Sequence, residues 1–151
     1  MTTTPTIRDA REQAGLTQTE LARRTGLSQP NISAYESGRR VPSEATLAKI
    51  LRATGPRPSD VLAVHRAAVL EIAREHHAWQ VRVFGSSARG EDQPGSDLDL
   101  LVDFDDSASL FDLVGLADVL EERLGIAVDV VSAGGLGGPM GERILATAVP
   151  L

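Results

Sequence analysis

Two aspartates separated by one residue, Asp97 and Asp99, follow a Gly85-Ser86 pair after an interval of ten residues. Alternate residues of a strand project from the same face. Asp97 and Asp99 therefore aim two carboxylates at one point, with Leu98 buried behind them. Adjacent like charges repel, so the pair calls for a cation. The chain has no cysteine and no histidine near this point. Oxygen ligands of this kind suit Mg²⁺ or Mn²⁺ rather than zinc. A third carboxylate, Asp129, lies in the apolar run Val128-Asp129-Val130-Val131. An aspartate inside a buried strand is costly without a partner. A neighbouring strand carrying the Asp97–Asp99 pair would supply a shared metal.

The elements that must position these groups are visible in the hydrophobic period. Trp79 to Phe84 alternates and reads as a strand. Gly85 to Ser96 reads as a loop with a helical turn. Leu98 to Phe104 is a second strand, with Leu98, Leu100, Val102 and Phe104 on one face. Leu110 to Leu124 reads as an amphipathic helix built on Leu110, Leu113, Leu116, Leu120 and Leu124. Ile126 to Val131 is a third strand. A Gly-rich stretch, Gly134 to Gly141, lacks a following Lys-Ser or Lys-Thr and so is no P-loop; it reads as a mobile turn before a last helix around Glu142 to Val149. The second half is thus α+β, a small mixed sheet with flanking helices.

The first half is all helical. Ile7, Ala10, Arg11 and Ala14 share a helical stripe that Gly15 ends. Thr17 with Glu20 makes a capping box for a helix stopped by Gly26. Ser28 caps the next helix, with Pro30 in its first turn. Ser43 caps a fourth helix containing Leu47, Ile50 and Leu51. Small Ala22 permits a close helix crossing, Gly26 supplies the turn, and Leu27 and Ile32 fill the seam. Pro56 to Ser59 is the linker signal, and Ser59 caps a further helical stretch. That stretch is either one helix to His76 or two broken near His65, and the domain boundary falls there, giving domains of 1–64 and 65–151.

Net charge is −6, divided unevenly. Residues 1–67 hold ten Arg and Lys against six Asp and Glu; residues 68–151 hold five against fifteen. A basic half suits a phosphate backbone, and an acidic half repels one unless cations intervene. No apolar run is long enough to span a membrane, residues 1–6 show no export signal, and the lack of cysteine excludes disulfides. A cytoplasmic protein without membrane contact is the expectation. His65, His76 and His77 read as helix-capping or solvated, Asp103, Asp105 and Asp106 as a solvated strand end, and Trp79 as a core or sheet anchor.

Two resemblances rest on these motifs. Thr17 to Gly38 resembles the phage-repressor (Cro/C1, XRE-type) helix-turn-helix. That resemblance implies base-reading positions at Ser28, Gln29, Asn31 and Ser33. It also implies phosphate contact and bracing of Gln29 by Gln18, backbone or minor-groove contact by Arg39 and Arg40, and a homodimer on operator DNA. The run Phe84 to Gly90, with Ser96 to Val102, Leu124 to Val131 and Arg143 to Val149, resembles the minimal nucleotidyltransferases of the DNA polymerase beta-like superfamily. That resemblance implies Gly85 and Ser86 as a cradle for triphosphate oxygens and Arg89 as a phosphate contact, with pairing to a nearby carboxylate as its alternative. It implies Asp97, Asp99 and Asp129 as holders of two Mg²⁺ or Mn²⁺ ions, Asp129 being also the acceptor of a hydroxyl proton. ATP is the implied substrate. The implied role is a bifunctional antitoxin, which transfers AMP to a tyrosine hydroxyl of a cognate HEPN-type ribonuclease toxin and represses its own operon. Two other readings stay open: a repressor whose second domain only senses nucleotide, and a nucleotidyltransferase acting on an aminoglycoside-like hydroxyl.

Overall fold

A computed structural model describes residues 6–151; residues 1–5, and with them most of the segment read as lacking an export signal, lie outside the described residues. Inter-residue contacts divide the chain into two units, 1–56 and 57–151.

The first unit holds helices α1 (Ile7–Gln13), α2 (Gln18–Thr25), α3 (Gln29–Glu36) and α4 (Glu44–Thr54). Each begins at a hydroxyl cap: Thr6, Thr17, Ser28 and Ser43 accept from the backbone N–H three residues on. Thr17 and Glu20 form the expected reciprocal box. Gly26 closes α2 at φ 70°, a left-handed conformation that favours glycine. The core is Leu16, Leu21, Ala22, Ile32, Ile50 and Ala53, with Leu27 packed against it. Leu47 and Leu51 of α4 are exposed.

The second unit is an α+β layer. It begins with α5 (Pro58–Glu75) and continues through β1 (Ala78–Phe84), α6 (Gly85–Arg89), β2 (Leu98–Phe104), α7 (Leu110–Leu124), β3 (Val128–Ser132), α8 (Gly138–Thr147) and β4 (Val149–Pro150). The sheet order is β3-β2-β1-β4. β1 pairs antiparallel with β2 and β4, and β2 pairs parallel with β3 across the α7 crossover. Val81, Val83, Leu98, Leu100 and Val102 turn one sheet face onto Val69 and Ala73 of α5 and Leu116, Leu120 and Leu124 of α7. Alternation then assigns Asp99, Leu101 and Asp103 to the other face.

Several sequence expectations shift. α5 is one helical span kinked at His65, whose φ/ψ of −106° and 15° leave the helical region. Ser59 lies inside α5, which starts at Pro58 without a side-chain cap from its own N-cap residue Arg57. The contact division at 56/57 precedes the 64/65 boundary because α5 packs on β1 and α7 throughout the second unit's core. Leu110, placed on the buried stripe of α7, is 74% exposed. Gly134 to Gly141 is not one turn: Ala133–Gly135 is a 3-10 turn, and Gly138 to Gly141 form the first turn of α8, with Pro139 at a position where a missing N–H costs nothing. Trp79, read as a core or sheet anchor, is 54% exposed and sits in the sheet, paired with Asp103. No helix among the described residues is long and apolar enough to cross a membrane.

Candidate active site and nucleic-acid interface

The carboxylates meet where β1 ends and β2 and β3 begin. Asp99 is paired with Phe84 on β1 and with Asp129 on β3. Directly paired residues share a face of the sheet, so Asp99 and Asp129 project side by side. Asp97, expected on one strand with Asp99, is exposed and lies just before β2, because the strand begins at Leu98. Burial pushes the Asp99 carboxyl above its ordinary range, and the charges of Asp129 and Asp97 push it further; Arg89 opposes them in part. Four of the six residues expected at this site thus act on one another electrostatically.

Gly85 explains how Asp99 reaches its place. It stands at φ 70°, and a side-chain carbon there would collide with the Asp99 carboxylate, whose Cγ would lie 3.3 Å away. Only glycine provides both the left-handed backbone and the room. Ser86 follows in the first turn of α6, where backbone N–H groups have no intrahelical partner. Gly90 ends α6 at φ 70°, and Glu91 donates its N–H to the Ser86 carbonyl at 2.9 Å. Arg89 donates from Nε to Glu91 at 2.8 Å on the surface. The carboxylate-pairing alternative for Arg89 is the one this structure displays.

Asp129 departs from its expected setting. β3 is an edge strand and Asp129 is exposed, so burial does not force it to seek a partner. Its place beside Asp99 comes from strand register. Among the described residues no three His, Asp or Glu side chains converge as a ready-made metal cage. The donor set still fits a hard divalent cation: three carboxylates at one sheet end, one of them destabilised as an anion by burial and by the other two.

The helical unit gathers a second set. Gln29, Pro30, Ser33, Ala34, Arg39 and Arg40 line an open cleft of about 440 Å³ beside α3. Gln29 donates to Gln18 Oε1 at 2.8 Å, and Gln18 donates to Glu36 at 2.8 Å. Asn31 accepts from Arg40 at 2.8 Å, and Arg39 donates to Ser37 at 3.0 Å. Ser28 spends its hydroxyl as the cap of α3, accepting from the Asn31 N–H at 3.3 Å.

A helix-turn-helix family model matches residues 7–62, and a nucleotidyltransferase-domain family model matches residues 66–146. The chain belongs to the nucleotidyltransferase family. This nucleotidyltransferase is 41% identical over 81 residues to a candidate protein adenylyltransferase of Methanocaldococcus jannaschii, covering 54% of its own length and 87% of that protein. It is 34% identical over 89 residues to a protein adenylyltransferase of Thermococcus cleftensis, covering 59% of its own length and 87% of the other. Its fold matches a solved structure described as a candidate minimal nucleotidyltransferase, with a TM-score of 0.57 and 46% identity over 62% of this chain and 95% of that one. The helix-turn-helix model spans all four helices of its first unit.

Two buried acids of the nucleotidyltransferase escaped the sequence reading. Glu36, with a side chain 1% exposed, accepts from Arg11 Nε at 2.5 Å and from Arg8 and Gln18. Asp92, 0% exposed, is held by Arg57 and the Ser59 N–H. Both sit in ordinary polar surroundings in sequence, and their partners lie 25 and 35 residues away. No local spacing rule reaches that far.

Proposed function

We propose that the chain is a bifunctional antitoxin: a metal-dependent protein adenylyltransferase that moves AMP from ATP to a hydroxyl of a cognate toxin, and a repressor of its own operon. The observation that carries the enzymatic half is the side-by-side register of Asp99 and Asp129 beside Gly85.

Asp97, Asp99 and Asp129 would hold Mg²⁺ or Mn²⁺, which supplies charge neutralisation for the triphosphate and the leaving pyrophosphate. Gly85 admits the triphosphate against the backbone, and the N–H groups of Gly85 and Ser86 with the Ser86 hydroxyl hold its oxygens. Arg89 exchanges Glu91 for a phosphate oxygen when nucleotide enters. Asp129, exposed at the sheet edge, accepts the proton of the incoming hydroxyl. The hydroxyl oxygen bonds to the α-phosphorus, the bond from that phosphorus to the bridging oxygen breaks, and pyrophosphate departs. The relatives' names support a protein acceptor. The subfamily resemblance supports a HEPN-type ribonuclease toxin and a tyrosine as its acceptor residue.

The helix-turn-helix supports the second half. Gln18, Ser28, Gln29, Asn31, Ser33, Arg39 and Arg40 would face operator DNA, with Gln29 prepositioned by Gln18. One such unit makes few phosphate contacts, so a homodimer on two half-sites is the working assembly. The test is incubation with ATP, Mg²⁺ and the protein encoded by the neighbouring gene, followed by peptide mass analysis. An AMP adduct on a tyrosine is expected; an unmodified protein contradicts the reading.

A further inference from the structure

The connection from α6 to Asp97 has one buried anchor, and it is clamped by the first residue of the second unit. Arg57 donates from Nε to the Asp92 carbonyl at 3.0 Å and from Nη2 to the Asp92 carboxylate at 3.0 Å, with a longer contact of 3.4 Å to the Gly90 carbonyl. The other Asp92 oxygen accepts the Ser59 N–H at 2.7 Å. Asp92 therefore provides from a distant loop the N-terminal cap that α5 lacks locally. Its carboxylate is fully buried while Arg57 is 41% exposed. Burial alone would raise the Asp92 carboxyl; the Ser59 hydrogen bonds and Arg57 outweigh it and hold the group below its ordinary value.

Position gives this clamp its consequence. Glu91 is fastened to Ser86 and Asp92 to α5, and the chain then has only residues 93–96 before Asp97. Those residues make a small turn of their own, Gln93 N–H to Ser96 Oγ at 3.0 Å and Ser96 N–H to the Gln93 carbonyl at 2.9 Å. Gln93 and Gly95 are exposed, as is Asp97. The fixed point upstream of the carboxylate pair is Asp92.

We propose that Asp92 is a positioning residue for nucleotide transfer: clamped by Arg57 and the start of α5, it fixes the loop that delivers Asp97 to the edge of β2, beside Asp99. The proposal rests on the reading of Asp97, Asp99 and Asp129 as metal holders.

The experiment uses the full chain and three readouts: Mn²⁺ affinity by electron paramagnetic resonance, amide exchange of residues 93–99 in metal-free protein, and the Mg²⁺ dependence of transfer. Asp92→Ala and Arg57→Ala are each expected to weaken Mn²⁺ binding by about tenfold or more. Each should also speed exchange at residues 93–97 and leave exchange at residues 18–36 unchanged. The double variant should lose less than the sum of the two single losses, since both remove the Arg57–Asp92 carboxylate bond. Arg57→Lys should restore part of the affinity, and Asp92→Asn serves if the alanine variant does not fold. Wild-type Mn²⁺ affinity and wild-type loop exchange in these variants would overturn the proposal. Asp99→Asn is the control: its loss of Mn²⁺ binding beside an unaffected Asp92→Ala sinks the clamp alone, whereas wild-type binding in Asp99→Asn sinks the metal site and the clamp with it.

Discussion

Asp99 and Asp129 are register partners across the parallel β2–β3 pair, two carboxylates on the same face of adjacent strands. Neither can be relieved by moving along its strand, because register is fixed by Leu98, Leu100 and Val128 in the core on the opposite face. The repulsion is built into the fold, and a bound divalent cation would relieve it.

Asp99→Asn should therefore separate stability from activity. Removing the charge relieves the repulsion, so metal-free protein is expected to gain ~0.5–2 kcal/mol, read as a higher melting temperature in chelator. Transfer should fall by about 10³-fold or more, since metal positioning supplies several kcal/mol. A variant that melts lower and still transfers contradicts the account.

The pH dependence follows from the same group. The folded-state Asp99 carboxyl lies above its unfolded value. Between those two values the native state binds more protons, so metal-free stability falls as pH rises through that window. Asp92 works in the opposite direction: its carboxyl is lowered in the fold, so its contribution is present above the ordinary aspartate range and is lost as pH drops through the depressed value. Chelator melting curves across acidic pH, with Asp99→Asn flattening the upper window, check the signs.

Gly85→Ala should damage the site without removing any functional group. The added carbon meets the Asp99 carboxylate and demands a left-handed alanine. A stability loss of roughly 1–2 kcal/mol is expected, with transfer reduced well beyond it because Asp99 is displaced. Comparing kcat at saturating Mg²⁺ with the melting shift is the check; normal kcat means that the carboxylate does not need that place.

In the helical unit, Glu36→Ala leaves Arg11 and Gln18 without their buried partner. A cost of about 3 kcal/mol or more is expected for breaking such a pair. Gln29 should also lose its brace and operator affinity should fall, with nucleotide transfer unchanged. Gln29→Ala should cost affinity for one operator sequence. Arg39→Ala should weaken binding to all sequences and lessen its salt dependence. Fluorescence anisotropy at several salt concentrations separates the two.

Much of this was legible in the sequence because it is local. The caps at Thr17, Ser28 and Ser43, the Gly26 turn and the strand that carries Asp99 all follow from residues a few positions apart, although Asp97 lies just before that strand rather than on it. What escaped was set by distance or by the sheet's edge. Asp129 was expected in a buried strand because its neighbours are apolar, yet β3 has a partner on one side only. Ser59 looked like a cap, but Asp92 fills that role from across the fold. Leu110 and Trp79 carry apolar side chains at the margins of their elements, where nothing on their own element shows that the core has ended.

The most direct test is intact-mass analysis of the acceptor protein after incubation with ATP and Mg²⁺ and one of four chains: wild type, Asp97→Asn, Asp99→Asn or Asp129→Asn. One nucleotidyl mass added by the wild type, and none by any of the three variants while each still binds operator DNA, is the expected result. Wild-type transfer by the Asp129 variant, or by either member of the Asp97–Asp99 pair, would show that the three carboxylates do not work as one site.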